Sequence, residues 1–265
     1  MGRNFAVLYH TIYKKRCRLL ILLFITVLLF VFVTTPHIQR LILGRPFAIE
    51  EEATDEQLSS ERVGEKITYD VMMGKMRLGS AYYHHLKKTQ LHGRTVNLIT
   101  FVTDIIRFHD LEVIYSDPKT YLPLLIERKV SKLMRPEKIW EDYDQKNFTL
   151  TITKKRFLEK KSTIEKDAPI HNSILLPYYV RSVDKLEIGW SFIANLPQRK
   201  YKISLVSIED IEVPAGKFRA YYFESEPKQI RIWVSADAKR VPLKVEGTGA
   251  LGYKLLMREY GFDRQ

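Results

Sequence analysis

The sequence predicts a mainly β (α+β) protein: one curved antiparallel sheet or half-open β-barrel, with a helix across its concave face and an N-terminal transmembrane helix before it. Three observations carry this. Strand-length stretches that alternate apolar and polar recur from residue 63 almost to the C-terminus, the period of a strand with one buried face. One stretch, residues 171–184, changes to helical spacing instead. Near the N-terminus, Leu19 to Val33 is apolar at every position except Thr26.

That apolar run is the first element. Thr34 and Thr35 extend the uncharged stretch over residues 19–35, 17 residues, which rise about 26 Å as a helix and reach the short end of what crosses a bilayer core. Leu19, Leu23, Val27, Phe30 and Val33 mark the span. Arg3, Lys14, Lys15, Arg16 and Arg18 precede it, and no acidic residue occurs before Glu50. Residues 1–18 then read as a short basic cytoplasmic segment, 19–35 as a signal anchor, 36–62 as a tether and 63–265 as the exported β domain. Arg40 and Arg45 follow the span and weaken the charge bias. A cleaved signal peptide is the rival reading, but the run ends VTTPHIQR, without the small residues a signal peptidase needs. The expectation is a single-pass protein of the inner (cytoplasmic) membrane, with its main domain in the periplasm.

Charge and cysteine usage fit that arrangement. The net charge of +12 suggests nucleic acid until it is divided along the chain. The first 45 residues hold seven Lys and Arg and no carboxylate, which leaves 36 of the 43 basic residues against all 31 acidic ones, a net +5. So small an excess over a whole domain describes a solvated surface rather than a phosphate footprint. The single cysteine, Cys17, precedes the apolar run, where it is an idle thiol or a palmitoylation site. The exported part has no cysteine and must be held by its core. Residues 46–62 contain six acidic residues and no sustained period, as a tether would.

In the exported domain, Phe148-Thr149-Leu150-Thr151-Ile152-Thr153 alternates at every step. The sets Ile67/Tyr69/Val71, Tyr201/Ile203/Leu205, Ile230/Ile232/Val234 and Val241/Leu243/Val245 do likewise, so they read as half-buried antiparallel strands. Turns are expected at 144–147, at Pro214-Ala215-Gly216 and at 235–239. In residues 171–184, Leu176, Tyr179, Val180 and Val183 form an apolar stripe at i, i+3, i+4 and i+7. Asn172 or Ser173 could cap the helix, and Pro177 fits only in its first turn.

With these elements placed, the domain resembles a bacterial envelope family known as domain of unknown function 3108. The resemblance covers residues 63–257 and rests on Gly64-Glu65-Lys66-Ile67-Thr68-Tyr69-Asp70-Val71 with Gly79-Ser80-Ala81, on Tyr178-Tyr179-Val180-Arg181, on Val213-Pro214-Ala215-Gly216-Lys217-Phe218, and on the run from Ile230 to Leu243. That last hairpin is also similar to one in outer-membrane lipoprotein carrier proteins, half-open barrels that hold acyl chains. The resemblance implies a lipid-sized apolar concavity. It carries over no catalytic residue and no cofactor.

Motifs of chemistry are few. Glu246 to Gly252 contains GTGALG, which fits the dinucleotide pattern G-x-G-x-x-G, but only 13 residues follow Gly252. No βαβ unit can form there, so no nucleotide is expected. Gly247 and Gly249 continue the inward face of Val241, Leu243 and Val245, where missing side chains would let the sheet bend or a helix or ligand approach. His84-His85 reads as a solvated pair rather than a metal site, since neighbours point to opposite faces. His109-Asp110-x-Glu112 reads as a polar strand end or turn rather than a cation site. Arg181 reads as a structural ion pair with a carboxylate on a facing strand, the alternative being a grip on a phosphate or carboxylate headgroup. Tyr179, Arg181, Trp190, Trp233, Gly247 and Gly249 are the candidate ligand-lining residues. Trp140, Trp190 and Trp233 otherwise pack in the core or its rim.

The expectation is therefore a non-enzymatic envelope protein without a cofactor. It binds a lipid, a lipoprotein acyl chain or a similar apolar ligand; the alternative is a structural or interaction module with a protein partner in an envelope assembly. A hydrolase with an unrecognised site ranks third.

Overall fold

The computed structural model describes residues 62–132, 135–247 and 252–263. The anchor, the tether up to residue 61 and Gly249 lie outside the described residues. Among the described residues no helix is long and apolar enough to cross a membrane.

Fourteen strands run in chain order: β1 Glu65–Met73, β2 Met76–Leu91, β3 Arg94–Ile105, β4 Phe108–Ser116, β5 Pro123–Lys132, β6 Arg135–Asp144, β7 Thr149–Lys155, β8 Glu159–Glu165, then β9 Ser191–Asn195, β10 Lys200–Val213, β11 Gly216–Glu226, β12 Ile230–Ser235, β13 Pro242–Gly247 and β14 Tyr253–Phe262. Among the described residues one helix, α1 (Leu176–Arg181), lies between β8 and β9. All strands join one antiparallel sheet in the order β8 to β1, then β14 down to β9. The first and last strands thus pair in its middle, Ile67 opposite Tyr260 and Val71 opposite Leu255.

The sheet is open but not flat. Lys166 donates to the carbonyl of Phe148 beside β7, while two residues later the Ala168 carbonyl accepts from Asn195 Nδ2 of β9. At a strand spacing of ~4.8 Å, a flat sheet of this size would hold its edges about 60 Å apart. The sheet therefore curls until its two edge regions meet at that end.

Alternation explains which face is filled. Ile67, Tyr69 and Val71 are buried together with Tyr83, Ile99, Phe101, Ile114, Ile126 and Leu150 from the neighbouring strands, as the period of two requires. Ile170, Leu175 and Tyr178 from the segment around α1 belong to the same core. A second cluster joins Leu176 and Val180 of α1 to Ile203, Leu205, Phe223, Ile232 and Val234. The helix thus lies across one face of the sheet and contributes to both clusters.

The turns follow from the residues expected to make them. Asp144 Oδ1 accepts the backbone N–H groups of Lys146 and Asn147. Val213 pairs with Gly216 across a two-residue turn, and Gly216 takes φ +133°. Phe148, read as the first residue of a strand, instead closes the preceding turn at φ +52°. At Gly79 the strands approach so closely that a Cβ would stand 2.1 Å from the Asp104 carbonyl oxygen and 2.8 Å from Ile105 Cα.

Candidate functional site

The segment leading into α1 sets the geometry of the helix-bearing face. Asn172 Oδ1 accepts from the Ile174 N–H, so it organises the turn before the helix rather than capping it. The N-cap is Leu175, with no side-chain bond, and Pro177 sits in the first turn, where its fixed φ suits the helix and no N–H is missed. Ser182 ends the helix by donating its N–H to the carbonyls of Tyr178 and Tyr179. The residue aimed into the first core is Tyr178, not Tyr179. The apolar stripe is displaced because the six-residue helix starts at Leu176 and packs on two sides.

Tyr178 stands edge-on to Tyr83 at 5.5 Å and to His85 at 5.9 Å, and it stacks on Tyr121 at 5.5 Å. Tyr83 donates its hydroxyl to the Ile174 carbonyl at 2.8 Å. One turn after the proline, Arg181 reaches Glu65 of β1 with two parallel bonds of 2.8 and 2.6 Å, and it also donates to the Lys239 carbonyl. Both side chains of this pair are 1% exposed. Burial pushes the Glu65 carboxyl up, but the Arg181 guanidinium more than offsets it and holds the group below its ordinary value. Arg181 is therefore committed to an ion pair on a facing strand.

The other candidate residues separate into groups. Tyr179 packs on Phe192 at 4.4 Å, and Trp190 meets the same ring at 5.4 Å, so these two come together at β9. Trp233 lies on the side of β12 opposite Ile232. There it stacks on Tyr222 at 4.7 Å, donates Nε1 to Glu209 and carries the Lys244 ammonium 4.1 Å over its ring. It does not join Tyr179 and Trp190. Gly247 faces Tyr253 across the β13–β14 pair, and a Cβ there would fall 2.5 Å from the ring. The missing side chain admits a neighbouring aromatic ring rather than a helix.

Two histidine readings change. His85 is buried, not solvated, neither ring nitrogen has a partner among the described residues, and burial lowers its pKa to about 4. His84, on the opposite face, bonds Asp263 at 2.8 Å. His109 points away from its neighbours and lies 3.9 Å from Asp104.

Asp110 and Glu112 are neither a strand end nor a turn. They stand in the middle of β4, on the same face as Ile114, and are 4% and 5% exposed. Register places Arg128 of β5 opposite Glu112, and Glu141 of β6 opposite Ile126. Arg128 Nη2 bonds Asp110 Oδ2 and lies 3.4 Å from Glu112 Oε1, while Nη1 lies 3.7 Å from Glu141 Oε1. Tyr143 donates to Glu141 at 2.7 Å.

One guanidinium thus faces three carboxylates. Burial, opposed by Arg128 but aided by Asp110 and Glu141, raises the Glu112 pKa to about 8. Asp110 Oδ1 and Arg128 Nε have no partner among the described residues. The cluster also adjoins apolar side chains, because Phe101 sits opposite Glu112 and packs on Tyr83 at 4.5 Å. No group of His, Cys, Asp and Glu among the described residues is arranged to hold a metal ion. The cluster places hydrogen-bond acceptors beside the Phe101 and Tyr83 rings.

The fold and this face define a class: a helix-bearing, curled single-sheet β protein with a charged cluster set into an apolar core. The chain belongs to the DUF3108 family, a family of proteins of unknown function whose model matches residues 64–258. Among curated proteins, no relative matches the sequence. Similar solved structures include a β-barrel-like protein of the domain of unknown function DUF1849 from Brucella abortus, at 9% identity, TM-score 0.45, covering 76% of this chain and 98% of that one. A candidate exported protein with a YmcC-like fold from Bacteroides fragilis matches at 9% identity and TM-score 0.27, over 76% of this chain and 96% of that one. A candidate lipoprotein from Parabacteroides distasonis matches at 9% identity and TM-score 0.25, over 75% and 95%.

Proposed function

We propose that this protein is a non-enzymatic binding protein of the bacterial cell envelope, held at the inner membrane by residues 19–35, with its sheet domain in the periplasm. The helix-bearing face, as a half-open barrel, binds a lipid, a lipoprotein acyl chain or another amphiphile, with the ligand's polar end at Arg128. The observation that carries this reading is the cluster of buried charged groups around Arg128. Charges removed from water are costly unless paired and hydrogen-bonded, yet here Asp110, buried beside Arg128, keeps one carboxylate oxygen without a partner among the described residues. A ligand that donates hydrogen bonds to Asp110 while its apolar part lies along Phe101 and Tyr83 would satisfy both parts of the face.

Strands β1 to β14 form one continuous sheet between residues 65 and 262, so residues 60–265 can be expressed as a folded unit. Native mass spectrometry of that unit should show a co-purifying amphiphile. A mass equal to the bare polypeptide under every gentle condition would overturn the reading.

One observation favours the alternative, a structural module in an envelope assembly. Among the described residues neither β8 nor β9 has a strand on its outer side, apart from residues 168–171, which bond β9 at Asn195, and such edges accept a strand from another chain. Crosslinking in membranes would then trap one stoichiometric protein partner.

A further inference from the structure

The β7–β8 hairpin carries a feature that neither core uses. Its tip reads Lys154-Lys155-Arg156-Phe157-Leu158-Glu159-Lys160-Lys161, and every one of these residues is exposed. Phe157 and Leu158 are 89% and 78% exposed, more than any other large apolar residue described. Five cations surround them against one carboxylate, Glu159. Register sets Lys154 directly opposite Lys160, an arrangement that destabilises a hairpin. Arg156 lies over the Phe157 ring at 5.5 Å, so even the nearest cation points along the apolar tip. None of the five forms an ion pair with a carboxylate among the described residues within the distances that hold the other bridges of the sheet.

We propose that this tip docks on an anionic lipid surface, with Phe157 and Leu158 in the headgroup and acyl boundary and Lys154, Lys155, Arg156, Lys160 and Lys161 against the headgroups. The chemistry matches on both counts. Aromatic and aliphatic side chains on a basic element enter that boundary, ~5–10 Å deep, and cations gain from its negative surface potential. A protein partner fits less well, because a stable protein interface needs about 800 Å² on each side and an eight-residue hairpin tip offers a wedge rather than a surface. The inference is independent of what the Arg128 cluster binds, since the tip lies outside both cores.

The test uses the full chain with Cys17→Ser and Leu158→Cys, labelled at residue 158 with an environment-sensitive fluorophore and reconstituted into vesicles. In vesicles rich in phosphatidylglycerol the emission should shift to the blue and be quenched by nitroxide-bearing lipids. In phosphatidylcholine vesicles, at high salt, or with Lys154, Lys155, Lys160 and Lys161 all changed to Glu, quenching should fall severalfold. Because these residues are exposed, the reversed variant should keep its circular dichroism and melting transition, so loss of quenching is not loss of fold. Emission that ignores lipid, or equal quenching in neutral and anionic vesicles, would overturn the proposal. So would a label shielded only by one crosslinked membrane protein, which would make the tip a protein contact.

Discussion

Arg181 at the α1 end of the sheet face meets a single carboxylate, Glu65, in a two-bond pair, and a backbone carbonyl takes a third bond. Arg128, on the strands beyond, faces Asp110, Glu112 and Glu141 and bonds only the first of them closely. Both arginines lie on the face that packs against α1, so the difference is in stoichiometry rather than location. A buried charge with one matched partner contributes to the fold. A guanidinium that bonds Asp110 through one oxygen only leaves the other, Oδ1, as a buried acceptor without a partner among the described residues, which a ligand donor can satisfy.

The largest expected effect comes from breaking the matched pair. Arg181→Ala or Glu65→Gln leaves the other group uncompensated, and denaturant unfolding should show a loss of about 3–5 kcal/mol. The same truncation at Arg128 should cost less, because the side chain is 27% exposed and Glu112 can stay protonated. A result in which Arg128→Ala destabilises as much as Arg181→Ala would erase the distinction. Next comes Gly79→Ala, whose Cβ would collide with backbone of β3 rather than with a movable side chain. It should cost about 1–3 kcal/mol.

The pH dependence separates the regions further. Glu112 has a folded pKa raised from 4.5 to about 8, so its contribution is fully present below about 4.5 and is lost as pH rises through about 8. His85 is shifted the other way, from 6.5 to about 4, so its contribution is present above about 6.5 and is lost as pH falls through about 4. Glu112→Gln should flatten the alkaline limb of a stability profile, and His85→Phe the acid limb, each by on the order of 1–3 kcal/mol. Thermal melts between pH 4 and pH 9 would check both. The smallest effect belongs to Gly247→Ala, at most about 1 kcal/mol, because the ring it would meet, Tyr253, is half exposed and can swing aside.

Much of the sheet was legible because alternation is local. Ile67/Tyr69/Val71 and Val241/Leu243/Val245 lie buried where their period places them. Strand order was not legible, since a period of two says which face is wet but not which strand is adjacent, and the pairing of β1 with β14 joins ends almost 200 residues apart. The carboxylates of the Arg128 cluster were misread for a related reason. Asp110 and Glu112 occupy inward positions of β4, but three polar residues within four positions read as a polar strand end or turn. The sign that could have found them is Ile114, two residues further along the same face. Trp233 was separable from Tyr179 and Trp190 by the same alternation, since its neighbour Ile232 was already assigned inward. Arg181 could be read as an ion pair because a cation beside three apolar helix residues needs a carboxylate, although nothing local named Glu65.

The central claim is that the charged cluster around Arg128 is a ligand site. The most direct measurement compares co-purifying ligand by native mass spectrometry in the wild-type domain and in Asp110→Asn and Arg128→Met variants shown to be folded. The account predicts a bound amphiphile in the wild type and its loss or severalfold reduction in both variants, with Arg181 untouched. Equal retention of the same ligand in all three proteins would contradict it.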